Sequence, residues 1–370
     1  MDVSLLKESL IYLLCSAVGA FLWAPVLTKL LYKYNITRRS DYDHTLQGER
    51  KIKTGTPIMG GLLVIITVTL VTILFNWERK YTYVPIGTMG LAALLGAADD
   101  ILNITGTRRR LRNLKHTLIL IRVHKKWFMK IWHTLSLPWI AFQDFTGMFG
   151  SKQNRGLQAH EKLLLQFTAG AITAWWVYTK LGEHWHTLQL PFDGTISVGW
   201  LIIPIIIFLV MFTANAVNVT DGMDGLAGGS LIITFLGMMM LSWIEGLTAF
   251  APLNATVVGA LIAYTYFNVK PARFQMGDVG SLGLGALLAI NAIAIQKTLL
   301  IPLLGFIFYI EIFSVILQIL SRRLFGRRLF KMAPLHHHFE IKGWNEEKTV
   351  MRFWIVHGFA VIVAVWLALN

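Results

Sequence analysis

Carboxylates, amides and histidines stand in short strings, several beside glycines, and five of these strings could do chemistry. Asp99 and Asp100 close the uncharged run 91–98. A helix C-terminus is electronegative, so two adjacent carboxylates there each lose about 0.3–1 kcal/mol and repel one another. A cation relieves both penalties, whereas two solvated loop aspartates need none. A second string reads Asn215-Ala-Val-Asn218-Val-Thr220-Asp221-Gly222-Met-Asp224-Gly225. If a helix begins at or just before Asp221, then Asp221 and Asp224 share a face of its first turn. That turn points free N–H groups at an anion, while Gly222 and Gly225 let a ligand approach the backbone. Capping accounts for Asp221 but not for Asn215, Asn218 or Asp224.

The third string, Met276-Gly277-Asp278-Val279-Gly280-Ser281, again sets a carboxylate between glycines at a predicted helix start. Four or five carboxylates on one side suit Mg²⁺, which keeps several waters and takes one or two carboxylates plus substrate phosphate. No Asp-x-Asp-x-Asp-Gly loop suggests calcium and no Cys/His spacing suggests zinc. The fourth string, Ala333-Pro334-Leu335-His336-His337-His338-Phe339-Glu340, cannot turn all three imidazoles to one ion. They can donate to phosphate oxygens or relay a proton, or simply be a solvated loop. The fifth, Lys53-Thr54-Gly55-Thr56-Pro57-Ile58-Met59-Gly60-Gly61, is an anion-friendly helix start.

The elements that position these strings cross a membrane. Of 370 residues, 55% are hydrophobic and 15% charged, with mean hydropathy +0.57; soluble domains run about 25% charged. Ten apolar runs are long enough to be predicted as spans: 9–32, 57–76, 82–100, 163–181, 198–214, 225–244, 247–267, 281–296, 298–320 and 353–369. The first is read as uncleaved, and Cys15 within it, the only cysteine, forms no internal disulfide. Of 34 Lys and Arg, 29 fall in the connections after odd-numbered spans, and Lys7, Arg79, Lys80, Lys180 and Lys297 make up the rest. That bias makes the basic set cytoplasmic and both termini extracytoplasmic. The net charge of +14 then faces anionic membrane lipid, and nucleic acid is set aside. The fold class is an all-α integral membrane protein, one polytopic domain over 1–370, with the active site on the cytoplasmic face. A basic, Trp-rich insertion at 101–162 reads as an interfacial amphipathic helix or a partner-binding lid.

Together the strings 53–61, Ala98-Asp99-Asp100, 215–225, 277–281 and 334–340 resemble those of the bacterial phospho-N-acetylmuramoyl-pentapeptide transferases. The Asp-Asp, Asn/Asp and Gly-Asp motifs are shared with the wider polyprenyl-phosphate N-acetylhexosamine-1-phosphate transferases. The His-His-His-Phe-Glu string is specific to the muramoyl branch. The resemblance implies ten membrane helices in the bacterial cytoplasmic (inner) membrane and Mg²⁺ dependence. It also implies transfer from UDP-N-acetylmuramoyl-pentapeptide to undecaprenyl phosphate, giving lipid I and UMP for peptidoglycan synthesis. By the same resemblance Asp278 is the principal Mg²⁺ ligand, with Asp221 and the Asp99/Asp100 pair close by, and Asp99 is the base for the lipid phosphate. Asn215, Asn218 and Asp224 belong to the nucleotide and metal site, Lys53 and Lys162 to phosphate or uridine binding, and Gln318 to the nucleoside pocket. His336, His337 and His338 sit at the pyrophosphate or sugar end. Two features depart from the family. Gln275 replaces an aromatic before Met276-Gly277-Asp278, leaving Phe274 to stack on uracil, and the insertion replaces a short connection ahead of Lys162.

Such a reaction brings two anions together, so positioning and electrostatics carry it. Direct attack by the lipid phosphate, whose second pKa is about 6, is preferred; a covalent aspartyl intermediate is the rival. Other readings are a sister transferase using UDP-N-acetylglucosamine, a membrane transporter, and a non-catalytic scaffold. A transporter wants ions along a path, and Glu311 is the ion that interrupts the span centres. The oligomeric state stays open, a homodimer included.

Overall fold

The computed structural model describes residues 2–38, 55–78, 81–106, 114–147, 156–190 and 194–369. In lipid every backbone group must be satisfied internally, and the apolar runs accordingly fold as helices. The long ones are α1 (Val3–Lys33), α2 (Leu62–Phe75), α3 (Tyr83–Thr105), α7 (Ala159–Lys180), α8 (Ile202–Thr220), α9 (Leu226–Ile244), α10 (Phe250–Asn268), α11 (Gly277–Ala294), α13 (Phe306–Leu324) and α15 (Glu346–Leu369). Short helices are α4 (Leu114–Val123), α5 (Trp127–Leu135), α6 (Leu137–Thr146), α12 (Ile301–Leu304) and α14 (Leu335–Ile341). Among the described residues, strands β1 (Thr187–Gln189) and β2 (Thr195–Ser197) depart from the all-α expectation, pairing antiparallel with Leu188 opposite Ile196.

Seven helices are long and apolar enough to cross a membrane, and the bent α12–α13 pair makes an eighth. This is a multi-pass, mainly helical membrane protein. Two of the ten expected spans fall outside that set. Helix α2 has 14 residues, and α7 opens on His160, Glu161 and Lys162 and carries Gln166, Thr168 and Thr173. The core is α10 and α11, 83% and 89% enclosed, against 22% for α1 and 39% for α8 and α15. Helix α11 packs on α2, α3 and α8, and glycines set the approach. A Cβ on Gly96 of α3 would lie 2.2 Å from Asp278 O, and one on Gly285 of α11 2.6 Å from Ala214 Cα of α8. Small residues that let backbones touch are the usual means of helix association in lipid. Here they bring the strings on α3, α8 and α11 together.

The ninth expected span is not continuous. At Gly305 the chain turns by 84° between α12 and α13, which frees backbone groups inside the bundle. The Thr234 hydroxyl donates to Leu304 O (2.7 Å), and Ile307 N–H donates to His357 Nδ1 (3.4 Å). His357 Nε2, 2.9 Å from Thr234 Oγ1 and 3.1 Å from Ser230 O, therefore carries the proton of a fully buried neutral ring.

Two expected boundaries also move, and the sixth expected span begins within one residue of its expected start. Helix α3 continues past Asp99 and Asp100 to Thr105. Helix α8 continues to Thr220, so Asn215 and Asn218 lie in its last turns rather than in a loop. Helix α9 starts at Leu226, after Gly225 in the left-handed region (φ 83°). Asp221 caps the end of α8 and Asp224 lies in the intervening turn, so the two do not share a first helical turn. The side-chain carboxylates of Asp99 and Asp100 and the side-chain amides of Asn215 and Asn218 find partners on other elements, so these polar residues stay helical.

One end of the bundle is tied by Trp243 Nε1 donating to Asp2 O (2.8 Å) and Asn76 Nδ2 to Ala249 O (2.9 Å). At that end buried Lys297 also meets Glu245 Oε1 (2.5 Å) and Gln189 Oε1 (2.8 Å). The polar strings gather at the other end.

Candidate active site

Asp278 stands in the first turn of α11 and is the hub of this end. Asn218 Nδ2, from the last turn of α8, donates to Asp278 Oδ1 (2.7 Å) and to Ser281 Oγ (2.8 Å). Lys162 Nζ, from the first turn of α7, donates to Asp278 Oδ2 (2.6 Å) and also pairs with Asp99 Oδ2 on α3. Two carboxylates about 4 Å apart repel by roughly 4 kcal/mol near a protein surface; the ammonium between them turns that repulsion into a clamp on α3, α7 and α11. The Asp99 side chain is 1% exposed and that of Lys162 27%, so the cation is reached from one side only. Leu157 N–H donates to Asp99 Oδ1 (2.8 Å). Asp99 Oδ2 is met by the ammonium.

Asp100 has a different task. Its two oxygens accept from Asp278 N and Val279 N, both at 3.1 Å. It thus serves the free N–H groups at the start of α11, where negative charge is favoured. The helix start on α11 relieves its carboxylate, and no cation is needed for that purpose. Asn215 pairs with Gln166 of α7, Nδ2 donating to Oε1 (2.7 Å) and Gln166 Nε2 returning a bond to Oδ1 (3.3 Å). Asp224 accepts from Ala272 N (3.2 Å), and its own N–H donates to Glu346 Oε1 (2.7 Å). It pins the 269–276 connection to α15 and is not brought into the Asp99–Lys162–Asp278 cluster.

The histidines form a second cluster. His336, fully buried, donates its backbone N–H to Glu311 Oε1 (3.0 Å), and its Nδ1 lies 3.3 Å from Glu311 Oε2. His336 Nε2 and His337 Nε2 face each other at 3.0 Å, so one of them carries a proton. His337 Nδ1 reaches Glu340 Oε2 (3.0 Å). The result is a carboxylate–imidazole–imidazole–carboxylate chain from α13 to α14. A Cβ on Gly222 would lie 2.3 Å from His336 Nε2, which sets this chain against the Asp221-Gly222 turn. His338 points elsewhere and accepts from Lys331 N (3.1 Å). Burial, then the charges of Lys342 and Lys331, hold its imidazole below the ordinary range.

Two expected binding residues serve the scaffold. Phe274 is fully buried against Tyr264 and Phe267 and presents no face to a base. Gln318 is spent on the connection after α13, accepting from Leu329 N (3.0 Å) and Phe330 N (2.9 Å) and donating to Phe330 O (3.0 Å). Lys53, with the basic run at Arg108, Arg109, Arg110 and Arg112, lies outside the described residues. Sequence reasoning missed Gln166, Ser281 and the role of Glu311. Glu311 carried a signal as a lone acid in an apolar span; Gln166 carried none.

Beside Lys162 opens a cavity of about 540 Å³, walled by Phe208, Met211, Phe212, Ile312, Ile316 and Ile319, with Thr146, Lys162, Asn215 and Asn218 as its polar lining. Phe208 is 60% exposed, so the apolar wall reaches the bundle's outer face. A greasy chain fits such a wall and an anionic head fits its polar end. Among the described residues, no group of three or more His, Cys, Asp or Glu side chains is arranged to hold a metal ion. The all-oxygen pair of buried Asp99 and partly exposed Asp278 is nevertheless of the type that hard divalent cations take.

Residues 142–296, from α6 through α11, match the family model for glycosyl transferase family 4. That stretch contains Lys162, Asn218 and Asp278 but neither Asp99 nor the histidines. Whole-chain relatives cover those too. The phospho-N-acetylmuramoyl-pentapeptide-transferase of Chloroflexus aurantiacus is 35% identical over 327 residues, 86% of this chain and 78% of the relative. The protein of that name from Caldanaerobacter subterraneus subsp. tengcongensis is 32% identical over 92% of this chain and 91% of its own. That of Levilactobacillus brevis is 32% identical over 96% and 98%. With such identity along most of both chains, and the acids, amides and lysine gathered as described, the chain belongs to the phospho-N-acetylmuramoyl-pentapeptide-transferase family.

Proposed function

We propose that the chain transfers phospho-N-acetylmuramoyl-pentapeptide from UDP-N-acetylmuramoyl-pentapeptide to undecaprenyl phosphate, giving lipid I and UMP. The observation that carries this reading is Lys162, paired at once with Asp99 and Asp278 at the polar end of an apolar cavity that opens on the bundle's side. The lipid acceptor lies along the wall with its phosphate toward Lys162. A lipid phosphate oxygen attacks the sugar-bearing phosphorus, and the bond from that phosphorus to the UMP oxygen breaks. Asp99 takes the proton of any monoprotonated lipid phosphate, and Leu157 N–H keeps its carboxylate aimed. Lys162 moves between carboxylate and phosphate oxygens, and the His336–His337 pair, held between Glu311 and Glu340, sits at the pyrophosphate or sugar end.

Asp278 and Asp221 are the residues proposed to hold Mg²⁺, with Asp99, whose Oδ2 meets the Lys162 ammonium, next to Asp278. When bound, the ion neutralises charge on the diphosphate and on the departing UMP. The proposed setting is the bacterial cytoplasmic membrane, with α2, α7 and the bent pair completing ten spans and both termini outside. Two features support that orientation. The basic residues concentrate in one set of connections, and the contacts of Asp2, Asn76, Gln189, Glu245 and Lys297 gather the other set at the opposite end.

The test offers purified protein undecaprenyl phosphate with either UDP-N-acetylmuramoyl-pentapeptide or UDP-N-acetylglucosamine. Product from the muramoyl nucleotide alone is expected. Product from the N-acetylglucosamine nucleotide alone would move the chain to the sister activity.

A further inference from the structure

Helices α4–α6 are built inside out for a connection bathed in water. In α5 the apolar residues Trp127, Phe128, Ile131, Trp132 and Leu135 fall at helical spacing on one stripe, and that stripe faces outward. Trp127 is 73% exposed and Trp132 64%. In α4 and α5 the side turned inward is polar: the buried residue of α5 is His133 and that of α4 is Thr117, with His133 packed on the ring of His124 at 5.5 Å, whereas α6 buries Ile140 and Thr146 and anchors the other two. A water-facing loop would bury its tryptophans and expose its histidine.

Charge points the same way. Lys115, Arg122, Lys125, Lys126 and Lys130 are all exposed. Between residues 101 and 147 the only acid is Asp144, and its Oδ2 already accepts from Leu114 N (2.8 Å). Tryptophan and phenylalanine on a stripe flanked by lysines are the composition of a helix lying in a bilayer interface. The position fits as well. Helix α6 is fastened to the first turn of α7, through Gln143 Nε2 at 3.1 Å from His160 Nε2 and the Trp139 ring at 5.4 Å from that of His160. The three helices therefore sit where α3 and α7 leave the membrane, at the end that holds Asp99, Lys162 and Asp278.

We propose that α4–α6 is a docking surface for anionic phospholipid, lying in the interface of the leaflet next to the active site. A soluble acidic partner would satisfy the lysines but not the outward tryptophans; a second copy would satisfy the tryptophans but bring its own lysines against these. Docking also bears on the neighbouring cavity, because Thr146 at the end of α6 is part of its lining. The proposal needs only that α3 and α7 are membrane helices, and it stands or falls separately from the transferase reading.

The test uses the full chain with Cys15→Ser and one new cysteine carrying an environment-sensitive fluorophore. Trp132→Cys places the label on the apolar stripe and Lys130→Cys, exposed, off it; Leu135→Cys replaces Trp132→Cys if the latter does not fold. Each protein is placed in nanodiscs of phosphatidylcholine alone or mixed with phosphatidylglycerol. Expected in the anionic discs are a blue shift and a severalfold drop in acrylamide quenching at position 132, with position 130 still quenched. Exchange of Lys125 and Lys126 for Glu in the position-132 protein should abolish the shift. Equal quenching at 132 in both lipids overturns the proposal. Shielding in detergent that grows with protein concentration also overturns it, and assigns the face to a second copy instead.

Discussion

Lys162 resolves a conflict between Asp99 and Asp278, which no other described cation is placed to resolve. The three charges differ in what they do, and substitution separates them. Asp278→Asn keeps the shape, loses the charge that Lys162 and the proposed Mg²⁺ require, and should cut UMP release by about a hundredfold or more, the scale of losing one preorganised electrostatic contact. The protein should still be found folded in the membrane; unaltered turnover would take Asp278 out of the site. Asp100→Asn should behave otherwise, because Asp100 serves the start of α11. A loss of about 1 kcal/mol in stability, typical of a weakened helix cap, should outweigh its effect on turnover. If Asp100→Asn abolished turnover with the melting temperature unchanged, the capping role would be wrong. The paired carboxylates were readable from Asp99-Asp100 alone, but their different partners were not, since Leu157 and Val279 lie far along the chain.

Helices meet at this site because glycine lets their backbones touch. Gly96→Val would push α3 off Asp278 O, which a Cβ would approach to 2.2 Å, whereas Gly87 on the same helix meets nothing within 4 Å. Gly96→Val should cost about 1–3 kcal/mol, the usual price of overpacking, together with most of the turnover, while Gly87→Ala leaves both near wild type. Equal melting temperatures for the two would contradict the packing. At the α12–α13 break, His357→Leu strands Ile307 N–H and removes a donor from Thr234, and should lower stability by about 1–3 kcal/mol. His357→Asn, with an acceptor near Nδ1, should recover part of that loss in a thermal unfolding series. Apolar runs announced most of these helices in the sequence, and the chemistry-bearing strings lay at their ends as expected. The bend at Gly305 did not show, although Pro302 and Gly305 flank it, because the run from 298 to 320 is apolar throughout that break. The extension of α8 through Asn218 was hidden for the opposite reason. Polar side chains read as loop until Asp278 and Gln166 are seen to satisfy them.

Across the bundle, two ionic clusters stand at opposite ends. Lys297, Glu245 and Gln189 tie one end, where Gln189 and Glu245 line a cavity of about 520 Å³, and Asp99, Lys162, Asn218 and Asp278 tie the other beside the cavity whose wall includes exposed Phe208. Glu311 and His357, both fully buried in the bundle, are each held by a neighbour, His336 and Thr234, so they do not mark out a conduction path. This asymmetry is what a transferase needs when one substrate comes from water and the other from the membrane. Its most direct test is turnover by the purified chain in detergent, with UDP-N-acetylmuramoyl-pentapeptide and undecaprenyl phosphate supplied together. UMP and the lipid product should appear in equal amounts with Mg²⁺ and cease on chelation. UMP without lipid product, or no reaction by folded protein with both substrates and Mg²⁺ present, would contradict the account.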